Sequence, residues 1–242
     1  MPTTITPQGH SIIKKVIDGT HYYYVDGEFY PAVTRILDVA GPVEYGLRAY
    51  FKNNTPEDIE EKSRVSLEKG SLVHDAIEQL LNGVVLPLDN YEDPMKKLIV
   101  RFYEWYQTFK PTDYLTEQTI FSLKFKYAGT CDLVATIGDK RVLIDFKTNK
   151  NGIYFNNKLQ VMAYKQAYEE TTGEHIDECY VLRLGSQHKA GYEFKEIDDA
   201  SIDDFMQVYN TYITMNGGKI PEPPMVEDYP KTLQLPIISL RK

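Results

Sequence analysis

The sequence predicts an α/β protein in which a mixed β-sheet carries helices on its faces. The segments run in the order helices, three strands, helix, strand, which brings strands together under helical cover. The middle of the chain, residues 128–148 ("AGTCDLVATIGDKRVLIDFKT"), is strand-like and apolar on both sides of a Gly-Asp turn. Of the 242 residues, 42% are hydrophobic, enough to bury a sizeable core as one domain.

Residues 20–30 ("THYYYVDGEFY") read as a hairpin, with β-rich flanks around Asp26-Gly27. From "PAVTRILDVA" to about residue 69 the text reads as helical, and Thr55-Pro56-Glu57-Asp58 is a good helix start. Residues 71–82 read as an amphipathic helix with Ser71 as N-cap and Gly83 as the stop. A further helix over 93–109 is rich in aromatics: Phe102, Tyr103, Trp105, Tyr106 and Phe109. Strands follow at about 114–125, 129–137 and 141–148, then a helix over 156–171 that ends near Gly173. Segments 178–185 and 191–197 read as strands and 200–215 as a last helix. The tail "KIPEPPMVEDYPKTLQLP" is proline-rich and expected to be extended.

Bulk properties narrow the function classes. No run approaches the roughly 18 apolar residues of a membrane span, and the N-terminal text lacks the apolar centre of a signal peptide. A cytoplasmic protein without a membrane partner is expected. Cys131 and Cys179 fit a reducing compartment and cannot alone make a four-cysteine site. The net charge of −8 argues against a passive nucleic-acid coat protein. It is compatible with an enzyme, because a metal site collects carboxylates.

The central hairpin carries the chemistry. With Gly138 and Asp139 as a type II′ loop, Ile137 faces Lys140 and Asp132 faces Asp145, with Lys147 opposite Thr130 on the same side. The other side presents Cys131, Leu133, Ala135 and Ile137 against Val142, Ile144 and Phe146 as one apolar, buried face. Directly opposed residues have Cβ atoms ~4.5–5.5 Å apart, where like charges repel. Two such carboxylates share either a proton or a cation. Oxygen ligands beside a lysine point to Mg²⁺ or Mn²⁺, with Lys147 placed to steady negative charge. The competing reading is an ordinary salt bridge at a sheet edge.

Helices offer supporting residues. His74 and Glu78 share a helix face at i, i+4 and could complete a metal shell, or be a structural histidine and a surface acid. Gln160 and Tyr164 share a face of the helix after the Asp145–Lys147 strand. Glu117 is either a further carboxylate or a solvated strand acid. Among 19 Tyr and 10 Phe, some could stack on unpaired bases while most belong to the core. Lys124, Lys126, Arg183, His188 and Lys189 could meet phosphates or face solvent.

Taken in order, Gly70–His74 (G-x-x-x-H), Gly129–Asp132 (G-x-x-D), Asp145–Lys147 (D-x-K) and Gln160–Tyr164 (Q-x-x-x-Y) resemble the PD-(D/E)XK nuclease superfamily in its RecB-like branch. "YPAVTRIL" resembles the P-S-V-T-x-I-L text of the mitochondrial genome maintenance exonuclease family and its phage relatives. The resemblance implies a restriction-endonuclease-like α/β core, a mixed central β-sheet flanked by helices. It implies a single nuclease domain over 1–242, with an N-terminal hairpin and helical extension (1–69), a catalytic core (70–200) and a C-terminal helix and tail (201–242). The resemblance makes Asp132, Asp145 and His74 metal ligands, with Glu78 a further candidate, and Lys147 the catalytic lysine beside Gln160 and Tyr164. The cofactor is Mg²⁺ or Mn²⁺. Two cysteines are too few for the iron–sulfur cluster of some relatives, so no cluster is expected. No P-loop motif is present, so any ATP-driven motor is another chain.

The implied activity is a metal-dependent deoxyribonuclease, an exonuclease on DNA ends or single strands in replication, recombination or repair, with phage origin in a bacterial host in view. The partners are DNA and replication or recombination proteins. The alternatives are an endonuclease on flapped or branched DNA, a non-cleaving DNA-binding recombination partner that kept the fold, and a metal-dependent enzyme on a non-nucleic substrate.

Overall fold

Strand pairing divides the protein into two sheets. The computed structural model describes residues 3–6, 8–17, 20–43, 50 and 52–221. The proline-rich tail therefore lies almost wholly outside the described residues. The first sheet joins β1 (Thr3–Ile5), β2 (Ser11–Ile17), β3 (Thr20–Val25) and β4 (Glu28–Tyr30), all antiparallel. Asp26 and Gly27 have φ of 50° and 83°, the double positive φ of a type I′ turn, so the expected hairpin forms. The Asp26 carboxylate also accepts from Ser11 N–H at 2.8 Å. The sequence reading did not anticipate β1 and β2. The text "SIIKKVI" carries the β-branched signal of β2, but its two lysines obscure the alternation.

Among the described residues, the helices before the second sheet include α1 (Val33–Ala40), α2 (Pro56–Leu81) and α3 (Asp93–Phe109). Thr55 caps α2, its Oγ1 accepting from Asp58 N–H at 3.2 Å. The expected break at Ser71 is not there: α2 runs unbroken for 26 residues with Ser71 inside it. An interior Gly70 costs only about 1 kcal/mol. Arg64 pairs with Glu61 and Glu68 at 2.8 and 2.7 Å on the solvent side, and Val73, Ala76, Ile77 and Leu81 anchor the second half in the core. Asn82 and Gly83, the latter at φ 77°, end the helix where expected.

The second sheet contains β5 (Thr112–Ser122), β6 (Tyr127–Ile137), β7 (Lys140–Lys147), β8 (Glu178–Arg183) and β9 (Glu193–Glu196), in that spatial order. Between β7 and β8 lies α4 (Phe155–Thr172), a crossover that makes this pair parallel in an otherwise antiparallel sheet. The last helix among the described residues is α5 (Ile202–Met215).

Helices cover both faces, which corrects the single buried face expected for the hairpin. On one side, Val73 and Ile77 of α2 and Phe102 and Trp105 of α3 pack with Leu133, Ala135, Val142, Ile144 and Phe146. On the other, α1, α4 and α5 bury Val134, Leu143 and Val181, with Tyr127 against Phe205 at 5.1 Å. Cys131 belongs to this second cluster, not to the first. A strand paired in parallel at the centre of a sheet is covered twice and loses its polar face. The architecture is a mixed α/β fold with a central five-stranded mixed sheet flanked by helices, consistent with a restriction-endonuclease-like core. Among the described residues, no helix is long and apolar enough to cross a membrane.

Several contacts tie the small sheet to the large one, two of them at the edge of the cleft. Ala128 N–H donates to Pro31 O at 3.0 Å, and the Tyr23 hydroxyl meets Thr130 Oγ1 at 3.0 Å with the Tyr23 ring 1% exposed. Tyr23→Phe keeps the ring and removes this link. It is expected to lower unfolding free energy by about 0.5–1.5 kcal/mol, measured by urea denaturation.

Candidate active site

A cleft of about 510 Å³ opens between α2, the ends of β6 and β7, α4 and the first sheet. His74 and Glu78 enter from α2, Glu117 from β5, Asp132 from β6, Asp145 and Lys147 from β7, and Gln160 and Tyr164 from α4. Every residue assigned to the site from the sequence lines this one cleft.

The geometry begins where the central hairpin stops pairing. Gly138 has φ of 65° and Asp139 is not among the positive-φ residues, as a type II′ turn requires. The register runs as expected from Ile137/Lys140 through Leu133/Ile144. There the recorded ladder ends, so Asp132 and Asp145 are not a rung of it. The next β7 amide that regular pairing would turn toward β6, Phe146 N–H, donates to Asp132 Oδ2 at 2.6 Å instead. A side chain has taken a strand's hydrogen bond and opened the sheet.

On the other edge of β6, Thr116 pairs with Leu133 and Gln118 with Cys131, with no rung between them. Glu117 occupies that gap at φ 49°, a left-handed backbone unfavourable for a side-chain-bearing residue. One ligand atom each from His74, Glu117 and Asp132 lies within 4.8 Å of the others. Glu117, left open as a solvated acid in the sequence, therefore joins the cluster. Asp145 shares the cleft but not this tightest group, and Glu78 lies on its margin.

The charges are strongly coupled. Burial pushes Asp132 up, but the charge and hydrogen bond of His74, with Lys147 and Phe146 N–H, bring it below the usual carboxylate range. Burial pulls His74 down, and Asp132 more than reverses this, so its pKa is raised. Their nearest atoms, His74 Nδ1 and Asp132 Oδ1, are 3.4 Å apart. Burial first, then the Asp132 charge, raises Asp145 to about 6 against the pull of Lys147. Burial and Asp132 likewise raise Glu117 to about 7, opposed by Lys14 and His74.

This donor set fits a divalent cation. Asp145 Oδ2 is buried with Lys147 Nζ 2.8 Å away as its charge partner, yet burial beside Asp132 still raises Asp145, so the site holds more negative charge than Lys147 offsets. Three carboxylates and one imidazole form the oxygen-rich, nitrogen-tolerant set of Mg²⁺ or Mn²⁺ sites.

Lys147 is held from behind. Gln160 Oε1 accepts from Lys147 Nζ at 3.0 Å, which leaves Gln160 Nε2 to donate to the Tyr164 hydroxyl at 3.0 Å. The Tyr164 ring packs against Gly129, where an added Cβ would sit 2.5 Å from Tyr164 Cε1. The glycine of G-x-x-D is thus explained by ring packing. Gly70 has no such constraint, since its Cβ would meet Thr148 Oγ1 at an ordinary 3.6 Å.

Basic residues named in the sequence divide differently. Arg183 is 5% exposed and fully engaged, with Glu193 Oε2 at 2.5 Å, the Lys150 carbonyl at 2.9 Å and Ser186 Oγ at 3.3 Å. Lys126 pairs with Glu28 at 2.6 Å. Besides Lys147, a second cation lines the cleft, Lys14 of β2, beside His21 of β3, and the sequence marks neither. Their strand partners place Lys14 opposite Tyr23 and His21 opposite Val16, on the sheet face that meets the core.

Two predictions follow from this geometry. Gly129→Ala forces Tyr164 away and is expected to cost about 1–3 kcal/mol in a thermal or urea melt. Glu117 tests the electrostatics. Its folded pKa of about 7 exceeds the unfolded value near 4.5, so without metal its contribution to stability falls as pH rises across that window. In EDTA, Glu117→Gln should be more stable than wild type at pH 8 and show a flatter stability–pH curve. Saturating Mn²⁺ should raise the wild-type melting temperature more than the variant's.

No protein-family model matches the chain, and no curated protein matches it. Among solved structures, the chain is similar to a Eubacterium rectale protein provisionally assigned as an exonuclease, at 14% identity over 86% of this chain and 90% of that one, with a TM-score of 0.45. It is also similar to an alkaline exonuclease of Laribacter hongkongensis, at 14% identity over 77% of this chain and 87% of that one, with a TM-score of 0.40. The complex of that enzyme with dAMP gives 14% identity over the same shares and a TM-score of 0.37. Similarity this distant leaves the functional argument to the geometry of the site.

Proposed function

We propose that this protein is a divalent-metal-dependent nuclease that hydrolyses phosphodiester bonds in DNA, acting as an exonuclease on ends or single strands. The observation that carries the reading is the convergence of His74, Glu117, Asp132 and Asp145 on one cleft with Lys147 tethered at its edge. In this reading the residues 70–200 form the catalytic core of a single domain.

His74, Glu117, Asp132 and Asp145 would hold the cation. When bound, it supplies Lewis-acid stabilisation of phosphate charge and makes a coordinated water more acidic. Phe146 N–H fixes the Asp132 carboxylate, and the edge-on Phe146 ring, 5.8 Å from His74, limits how the imidazole can turn. Asp145 and Gln160 hold Lys147 so that its remaining donor can meet a phosphate oxygen or orient the attacking water. Tyr164 keeps Gln160 in the orientation that presents Oε1 to the lysine. Lys14, at the rim, offers the incoming strand a positive charge on a protein of net charge −8.

End-labelled single- and double-stranded DNA, incubated with Mg²⁺, Mn²⁺ or EDTA, tests the reading. Wild type should cut in the presence of metal and not in EDTA, with a product ladder that shows trimming from an end. Lys147→Ala should lower the rate by roughly 10²–10³-fold while the protein stays folded. Folded, cation-binding protein that cuts neither DNA would overturn the proposal.

A further inference from the structure

The acid-lined cleft has a neighbour. A cavity of about 250 Å³ lies between the first sheet, α1 and α5, and its walls include His21, Tyr22, Phe29, Arg35 and Tyr212. His21 and Ala32 line both spaces, so the two meet at a shared rim. A chain lying in the cleft reaches the cavity by passing His21.

Local sequence explains why the walls are aromatic. Alternation along β3 sends His21 and Tyr23 to the core-facing side and Tyr22 and Tyr24 to the other. Phe29 of β4 pairs with Tyr24 and also approaches Tyr22, with ring centroids 6.3 Å apart and planes inclined by 37°. Tyr22 and Phe29 both remain half-buried. Arg35 stands exposed in the first turn of α1, and among the described residues it makes no salt bridge. Its charge still reaches Tyr212 and Asp38. Burial and the charge of Lys14 lower the pKa of His21, so the gate between the spaces is a neutral imidazole near pH 7.

A ligand suited to these walls is flat, weakly polar and attached to an anion. At about 250 Å³ the space lies just below the roughly 300–1,000 Å³ of sites for drug-sized molecules, which favours a single ring system. Aromatic faces hold unpaired bases by stacking at about 1–3 kcal/mol per base, without regard to sequence. A guanidinium beside them binds phosphate and reinforces stacking.

We propose that this cavity is a base-holding subsite. It takes one unpaired nucleobase of the strand whose phosphodiester lies in the acid-lined cleft, against Tyr22 and Phe29, with Arg35 on the adjoining phosphate. The inference rests on the nuclease reading and deepens it. A paired base cannot enter a cavity of this size with its partner, so the subsite selects a single-stranded end.

The test uses full-length protein and a short single-stranded DNA carrying 2-aminopurine at successive positions. With the Lys147→Ala protein, read in EDTA so that the strand stays uncut, one position close to the scissile bond should show quenched fluorescence, and adding Phe29→Leu or Arg35→Ala should relieve it. In the cleaving protein, each of these two substitutions should lower kcat/KM on the intact strand roughly tenfold, the equivalent of about 1.4 kcal/mol. An abasic site at the quenched position should lower wild-type kcat/KM by a similar factor and leave Phe29→Leu little affected. Arg35 is exposed, so its variant separates lost binding from lost folding. If wild type cuts DNA with metal but no position is quenched, or both variants cut as wild type does, the subsite is wrong and the nuclease reading stands. If no DNA is cut under any metal, both fail together.

Discussion

Three carboxylates drawn into one half-buried cleft repel one another unless positive charge lies among them. The rest of the structure is arranged around that constraint. Lys147 supplies one charge, 2.8 Å from Asp145, and His74 supplies part of another beside Asp132. The balance is incomplete: Asp145 and Glu117 still resist ionisation. A site left short of positive charge in this way is predisposed to take up a cation.

Backbone irregularities appear where that constraint acts. The β6–β7 ladder ends just before Asp132 and Asp145, and the Asp132 carboxylate takes the Phe146 amide. The β5–β6 ladder skips the rung of Glu117, whose backbone is left-handed. Both departures open this end of the sheet, so that side chains from β5, β6 and β7 can converge. Their cost is of order 1–3 kcal/mol for a strained residue and must be offset by the surrounding fold.

The surrounding fold is suited to that. Helices bury both faces of β6 and β7, so the frame behind the opening is close-packed. Gly129 lets Tyr164 lie against β6, Tyr164 sets Gln160, and Gln160 sets Lys147, a chain of contacts from packing to charge. The first sheet closes the other side of the cleft through Tyr23 and Thr130 and brings Lys14 and His21 to its rim. The site thus sits between two sheets, with one wall devoted to acids and the other to cationic and aromatic groups.

Much of this was legible in the sequence because it depends on local rules. Turn residues set the two hairpins, Gly83 and Gly173 end two helices, and period-2 text placed Asp132, Asp145 and Lys147 on strands beside a helix carrying Gln160 and Tyr164. Other features depend on contacts between distant segments and left no local mark. The sequence could not show that α2 continues through Ser71, because the decision lay with Val73 and Ile77 packing on the sheet. Nor could it separate Glu117 from any solvated strand acid, since a left-handed backbone and the approach of His74 and Asp132 arise only when three elements meet. Lys14 and His21 stand far along the chain from the acids they face, in strands whose pairing partner is not the sheet they serve. The sequence by itself determined which chemical groups are present and which strands and helices carry them, because those follow from spacing and turn chemistry. The tertiary structure alone decided which groups share one cleft, how their charges shift and what lies beside them, because burial and Coulomb interactions act through space and not along the chain.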